Sequence, residues 1–192
     1  DAVVSAKAGN YLIFFPSYQM MQDVFSIYAK LQSEPVRCLL QQSHMTEEER
    51  EEFLQQFSEN ARPVVGFCVL GGIFSEGIDL KKESLIGAVI VGTGLPQIGN
   101  ERDILKNHYE RTMGAGFDYA FRFPGMNKVL QAAGRVIRTM DDVGVVVLLD
   151  ERFLQSEYRR IFPREWESYL TCTLKEAPGL LADFWREYEK ED

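Results

Sequence analysis

Short, uninterrupted apolar runs separated by helix-period segments constrain this chain more than any other feature of it. Residues 12–15, 36–40, 64–70, 85–91 and 144–149 are nearly continuous apolar stretches. They are too short for ordinary helices and do not alternate with polar residues, which is the pattern of strands covered on both faces. Between the first two runs, Met20, Met21, Val24, Phe25, Tyr28 and Leu31 recur at helical spacing, and Pro35 ends that segment. Thr46 followed by Glu49 is a capping-box pair that starts a helix through about Phe57. Arg62-Pro63 breaks the chain before the third run. A polar helix is expected from Glu101 to Met113 and another over 127–138. Phe117, Tyr119, Phe121 and Phe123 alternate with other residues up to Pro124, which reads as an extended segment. Near the end, Leu181, Phe184, Trp185 and Tyr188 form one apolar stripe.

Strands alternating with helices predict an α/β domain with a mainly parallel sheet and helices on both faces. In 192 residues, with no repeat, low-complexity segment or linker, one domain is expected. Chemistry in such sheets gathers beyond the carboxyl ends of the strands. The loops at 17–18, 71–79 and 93–96 fall there. No apolar run approaches the roughly 18 residues a membrane span requires, and the first ten residues lack a secretory pattern. A cytoplasmic protein is expected. Cys38, Cys68 and Cys172 form no CxxC pair, and His44 and His108 have no ligand-spaced partner, so neither a disulfide framework nor a metal site is expected.

The formal net charge of -8 opposes nucleic-acid binding in general. Much of the acid, however, sits in the 47–52 cluster and the 187–192 tail, which leaves other segments neutral or basic. One of these is residues 131–138. On a helix, Gln131, Arg135 and Arg138 project from one narrow face, with Lys128 beside them and Val129, Ala132, Ala133 and Val136 opposite. A planar guanidinium holds phosphate oxygens in pairs and stays charged at any relevant pH. Two arginines and an amide on an anchored helix therefore make an anion-facing surface, although two ordinary solvated arginines are the plain alternative. Gly134 is unfavourable inside a helix and suggests that something approaches closely there.

Gln131-x-x-Gly134-Arg135-x-x-Arg138, in the form Q-A-A-G-R-V-I-R-T, resembles motif VI of superfamily 2 helicases, and the DinG/XPD branch in particular. Residues 12–18, ending Phe14-Phe15-Pro16-Ser17-Tyr18, resemble that branch's motif IV. Residues 71–79, with Gly72-x-x-Ser75-Glu76-Gly77-Ile78-Asp79, resemble its motif V. The segment Leu95-Pro96-Gln97-Ile98-Gly99-Asn100 keeps the family's Leu-Pro but lacks the Phe and second Pro that often follow.

The resemblance implies the second RecA-like motor domain of an ATP-dependent DNA helicase. Its fold would be a three-layer α/β/α, P-loop NTPase-type domain over 1–192, with a helical extension at 154–192. It further implies that Arg138 and Arg135 face the γ-phosphate, one of them as an arginine finger, while Gln131 positions that phosphate or the attacking water. Asp79 would contact the ribose, Gly77 would allow a tight turn, Glu76 would link the ATP and DNA sites, and Gly134 would line the cleft. Ser17, Tyr18, Gly71, Gly72 and Ser75 would lie along single-stranded DNA. Without the family, Glu76 and Asp79 could equally mark a magnesium loop or a purely structural one. Tyr18 could pack locally, and the aromatic run could be a base-stacking platform or simple packing, the latter preferred.

No GxxxxGKS or GxxxxGKT occurs, nor a DEAH-like run. ATP and Mg²⁺ are therefore expected to be held mainly by a first RecA-like domain that this chain lacks, and the chain alone is expected to be inactive. An iron–sulfur cluster is possible in that missing half; this chain has no cysteine set for one. The expected partners are single-stranded DNA and the first domain, in DNA repair or related work, with no membrane. The competing readings are a non-catalytic nucleic-acid or nucleotide-binding module with a RecA-like fold, and a protein-interaction domain using acidic surfaces. The motor reading expects both arginines at the edge where the sheet's loops emerge.

Overall fold

A computed structural model describes residues 1–31, 36–57, 63–74, 85–137 and 142–188. Five strands, β1 (Tyr11–Phe15), β2 (Arg37–Leu40), β3 (Val64–Val69), β4 (Gly87–Val91) and β5 (Val145–Leu149), form one sheet in the order β2-β3-β1-β4-β5. Every pairing is parallel. The five apolar runs are these five strands. Side chains alternate between faces along a strand, and here both faces are covered. In β1, Leu12 and Phe14 enter one core while Tyr11 and Phe15 enter the other; in β3, Val64 and Cys68 are divided from Val65 and Phe67 in the same way.

The first face is covered by α3 (Glu47–Gln55) and α5 (Phe123–Ala133), through Phe53, Met126, Val129 and Ala132. The second is covered by α1 (Ala2–Ala6), α2 (Tyr18–Leu31) and α7 (Ala177–Tyr188), through Val4, Met21, Leu181 and Trp185. The molecule is therefore a three-layer α/β/α domain. The assignment of helices to faces follows from right-handed crossovers. The step from β1 to β2 runs in the opposite direction to the steps from β2 to β3 and from β4 to β5, so α2 lies on one side and α3 and α5 on the other. A crevice forms where neighbouring strands send their chains to opposite faces. That place is the carboxyl end of β1, between β3 and β4.

The capping box is present: the Glu49 amide donates to Thr46 Oγ1 at 3.2 Å, and the Thr46 amide donates to the Glu49 carboxylate at 2.7 Å. The apolar stripe near the chain end is α7, docked by Leu181 and Trp185. The short helix α1 had no counterpart in the sequence reading.

Two segments differ from expectation. Residues 118–122 are not extended: Asp118–Arg122 is a π-helical turn that runs straight into α5. Aromatics two residues apart are also four apart in alternate pairs, and those pairs meet on a helix. Phe117 stacks on Phe121 with centroids 5.4 Å apart, and Tyr119 meets Phe123 edge-on at 5.1 Å. Pro124 does not end the segment either; it lies in the first turn of α5. The Ala120 carbonyl in the π-helical turn also accepts from Arg102 Nη1 at 3.3 Å, on α4 (Asn100–Met113).

The second difference is the end of α5, which stops at Ala133 rather than near 138. The Arg135 and Val136 amides donate to Ala132 and Ala133, three residues back, so the chain tightens into a turn after Gly134. Among the described residues no helix is long and apolar enough to cross a membrane.

Candidate functional site

Ser17 and Tyr18 leave β1 at the crevice. The Ser17 hydroxyl accepts from the Met20 amide at 3.2 Å and its carbonyl accepts from the Met21 amide at 3.1 Å, so Ser17 caps α2. The Tyr18 hydroxyl accepts from Gln41 Nε2 at 2.9 Å. Burial pushes the Tyr18 phenol above its ordinary range, and the Gln41 hydrogen bond only partly offsets that.

Gln41 is 2% exposed and joins three ends. Its Oε1 accepts from the Val69 amide at 2.8 Å and its own amide donates to the Phe67 carbonyl at 2.9 Å. Sequence reasoning missed it. The signal available was a polar residue placed directly after the apolar run of β2.

Beyond β3 the chain turns at Gly71, whose φ of +74° is left-handed. The Gly72 amide donates to the Val69 carbonyl at 3.1 Å. The turn thus takes up the Gly72 donor. Beyond β4, a methyl group on Gly92 would lie 3.8 Å from Pro16 Cγ and 3.9 Å from an Asp150 carboxylate oxygen, so the ends of β1, β4 and β5 converge.

Asp150 holds Arg152 by a fork, Nε to Oδ1 at 2.8 Å and Nη2 to Oδ2 at 2.7 Å, and Oδ1 also accepts the Arg152 amide at 2.9 Å. The side-chain bonds to Arg152 lower the Asp150 carboxyl below its usual range, with the backbone bond adding to the effect against some desolvation. A carboxyl depressed by folding stabilises the fold above its unfolded pKa, about 4, and that contribution is lost as pH falls through the folded value. The Asp150→Asn variant is therefore expected to melt below the native chain at neutral pH, with the gap closing under acid below about pH 4. A gap that stays constant down to pH 2 in thermal melts would show that the fork contributes nothing.

Helix α5 begins at this same edge. A β-carbon on Gly125 would lie 2.6 Å from the Thr93 carbonyl oxygen, and one on Gly94 would lie 2.7 Å from that of Gly125, so the two backbones touch. From there α5 runs antiparallel to the strands. At its far end Val136 packs where a β-carbon on Gly144 would meet Val136 Cγ1 at 2.4 Å and the Ile86 carbonyl at 2.8 Å, beside the amino ends of β4 and β5.

Gln131, exposed in the last turn of α5, and Arg135, half-buried just past it, are therefore separated from Ser17, Tyr18, Gly71 and Gly72. The expectation that the arginines lie at the loop edge does not hold for Arg135: a residue just past the end of a helix that starts at that edge comes out at the opposite end of the sheet. Gly134 is exposed, and a side chain there would meet only carbonyls of its own helix. It ends the helix. Arg138, Ser75, Glu76, Gly77 and Asp79 lie outside the described residues.

The aromatic run is largely packing, as preferred from sequence. Phe121 is buried, while Phe117 and Tyr119 keep 41% and 38% exposure, with Tyr119 stacked on Tyr109 at 4.4 Å. Asp118 pairs with both Arg122 and Arg160 and ties the π-helical turn to α6 (Ser156–Arg159).

Residues 2–169 match the family model described as helicase C-terminal domain. The chain is 33% identical over 172 residues to the ATP-dependent DNA helicase XPD of Sulfolobus acidocaldarius, covering 87% of this chain and 28% of that protein. It is 29% identical over 168 residues to the ATP-dependent DNA helicase CHL1 of Vanderwaltozyma polyspora, covering 79% and 20%. A solved apo XPD structure superposes with a TM-score of 0.63 at 27% identity, covering 82% of this chain and 31% of that one. The chain thus spans about a fifth to a quarter of the first curated relatives it matches. The three-layer fold is RecA-like.

Proposed function

The chain belongs to the helicase C-terminal domain family, and on that premise we propose that it is the second motor domain of an ATP-dependent DNA helicase. Its partner would be a first RecA-like domain that binds most of the ATP. The observation that carries this reading is the family match across the whole sheet, with a Gln131-x-x-Gly134-Arg135-x-x-Arg138 sequence that begins in the last turn of α5.

The separation of the two groups of residues supports a division of labour. The carboxyl edge, with Ser17, Tyr18, Gly71 and Gly72, would follow a single DNA strand, to which Ser75 would add a contact. Gln131, Arg135 and Arg138 would approach the phosphates of ATP from the side of the domain where α5 ends. Positive charge there stabilises the negative charge that develops on the transferring phosphoryl group. Asp79, Gly77, Glu76 and Gly134 would complete the nucleotide side. α5 is a single rigid element that touches both regions, so closing the nucleotide cleft would displace the DNA edge.

Among the described residues no cluster of three His, Cys, Asp or Glu could hold a metal ion. The described residues do not fit a resident Mg²⁺, and its ligands would come chiefly from the first domain. The isolated chain is expected to show no ATP turnover, and the intact protein to show turnover stimulated by single-stranded DNA. An intact protein whose ATPase ignores DNA, or an isolated chain that hydrolyses ATP, would overturn the reading.

A further inference from the structure

The carboxyl edge as described offers a nucleic-acid strand little to hold. The Ser17 hydroxyl caps α2, the Tyr18 hydroxyl is held by Gln41, the Gly72 amide closes a turn, and the Arg152 guanidinium is forked onto Asp150. The chain as a whole carries a net charge of -8. A strand of phosphates needs a cation there.

Lys128 supplies one. It lies on α5 one turn beyond Gly125, and its stem crosses the loop that follows β3. A β-carbon on Gly71 would lie 2.6 Å from Lys128 Cδ, 2.8 Å from Cε and 3.2 Å from Cγ. The left-handed glycine is what makes room for the stem: any other residue at Gly71 would meet both backbone strain and the lysine. Packing three methylenes against backbone removes rotamer freedom before any ligand arrives, leaving the ammonium at the end of a fixed arm. Among the described residues no carboxylate forms an ion pair with it.

We propose that Lys128 Nζ grips a phosphate oxygen of the nucleic-acid strand, with Gly71 as the seat of its stem. The proposal rests on the motor reading above and adds to it a residue outside the three motifs. The same ammonium chemistry could serve a nucleotide phosphate, but position favours the strand. Lys128 lies at the middle of α5, ahead of Arg135 beyond the helix end, and its stem reaches forward to Gly71 at the carboxyl edge. A compact ammonium reads charge rather than base, so the contact would be independent of sequence.

The test uses the intact enzyme with Lys128→Met, which keeps an unbranched stem over Gly71 and removes the charge. Affinity for a single-stranded oligonucleotide is measured across a salt series, alongside the KM for ATP. Loss of one phosphate contact is expected to reduce the salt slope by about 0.7 and to weaken binding at low salt by roughly tenfold, with KM for ATP unchanged and Lys128→Arg restoring the slope. An unchanged slope in a Lys128→Met protein of native melting temperature overturns the proposal. So does a raised KM for ATP with intact DNA binding, which would give the ammonium to the nucleotide. If the unaltered enzyme binds no single strand at any salt, the motor reading itself fails, and this inference with it.

Discussion

Replacing Arg138 by alanine in the intact enzyme is expected to lower the DNA-stimulated ATPase about 10³-fold while leaving affinity for single-stranded DNA nearly unchanged. An arginine supplied to a transferring phosphoryl group is worth roughly 10³–10⁵ in rate, because its charge acts where negative charge accumulates and little water intervenes. The far end of α5 gives this prediction its selectivity. Arg135 follows that end, at the amino side of the sheet, whereas the carboxyl edge, where DNA is proposed to bind, lies at the other end of the same helix. A change that removes charge at one end should leave contacts at the other in place. Arg138→Lys keeps the charge but loses the planar fork, so most of the activity should still be missing. The converse variant, Lys128→Met, should alter DNA affinity and salt dependence without collapsing turnover at saturating DNA. Turnover that survives Arg138→Ala within tenfold would remove the arginine finger from this segment and hand the role to Arg135 or to another domain.

The sheet was legible because it is buried on both sides. A strand with a core on each face cannot alternate, so its signature is a short unbroken apolar run, and each of the five runs is a strand. Local chemistry was equally clear at Thr46 and Glu49, where two reciprocal hydrogen bonds depend on residues three apart.

What escaped was set by contacts distant in sequence or by periods that overlap. Phe117 to Phe123 satisfies both a two-residue and a four-residue spacing, and in the helical solution Phe117 stacks on Phe121 while Arg102 of α4 donates to the Ala120 carbonyl. Gly134 ended α5 early for a local reason, its low helix propensity. The burial of Gln41 depends on β2, β3 and the start of α2 meeting, which no single window of sequence contains. The place of Arg135 was legible in principle: a crossover helix runs antiparallel to its strands, so its last turn cannot share an edge with its first. Motif order alone does not carry that direction.

Phe67→Ala is expected to remove about 3–5 kcal/mol of stability, the usual range for deleting a buried aromatic ring from a packed core. Phe67 is 0% exposed at the centre of β3, between β2 and β1. Its ring stacks on Phe15 with centroids 6.0 Å apart, meets Phe25 edge-on at 5.1 Å and lies 5.5 Å from Tyr28. Two of those partners belong to α2, so the ring is the peg on which that helix hangs. α2 is otherwise weakly anchored: Met21 is its fully buried residue, while Val24, Ile27 and Leu31 remain exposed. Domains of this size are stable by roughly 5–15 kcal/mol in total, so the loss would consume a large share and appear directly as a lower midpoint in urea. Phe67→Leu, which keeps most of the volume, should lose less than about half as much. The damage should also be directional. α2 starts at Ser17 and Tyr18, so a loosened α2 would expose the Tyr18 hydroxyl, and relief of the burial that raises its phenol would outweigh the lost Gln41 hydrogen bond and bring the titration nearer the ordinary value. Phe14→Ala, in the opposite core with α5, should match the loss of stability and leave that titration where it is. If Phe67→Ala unfolds at the native midpoint, or both variants shift Tyr18 equally, the two cores do not act separately and α2 is held by something other than this ring.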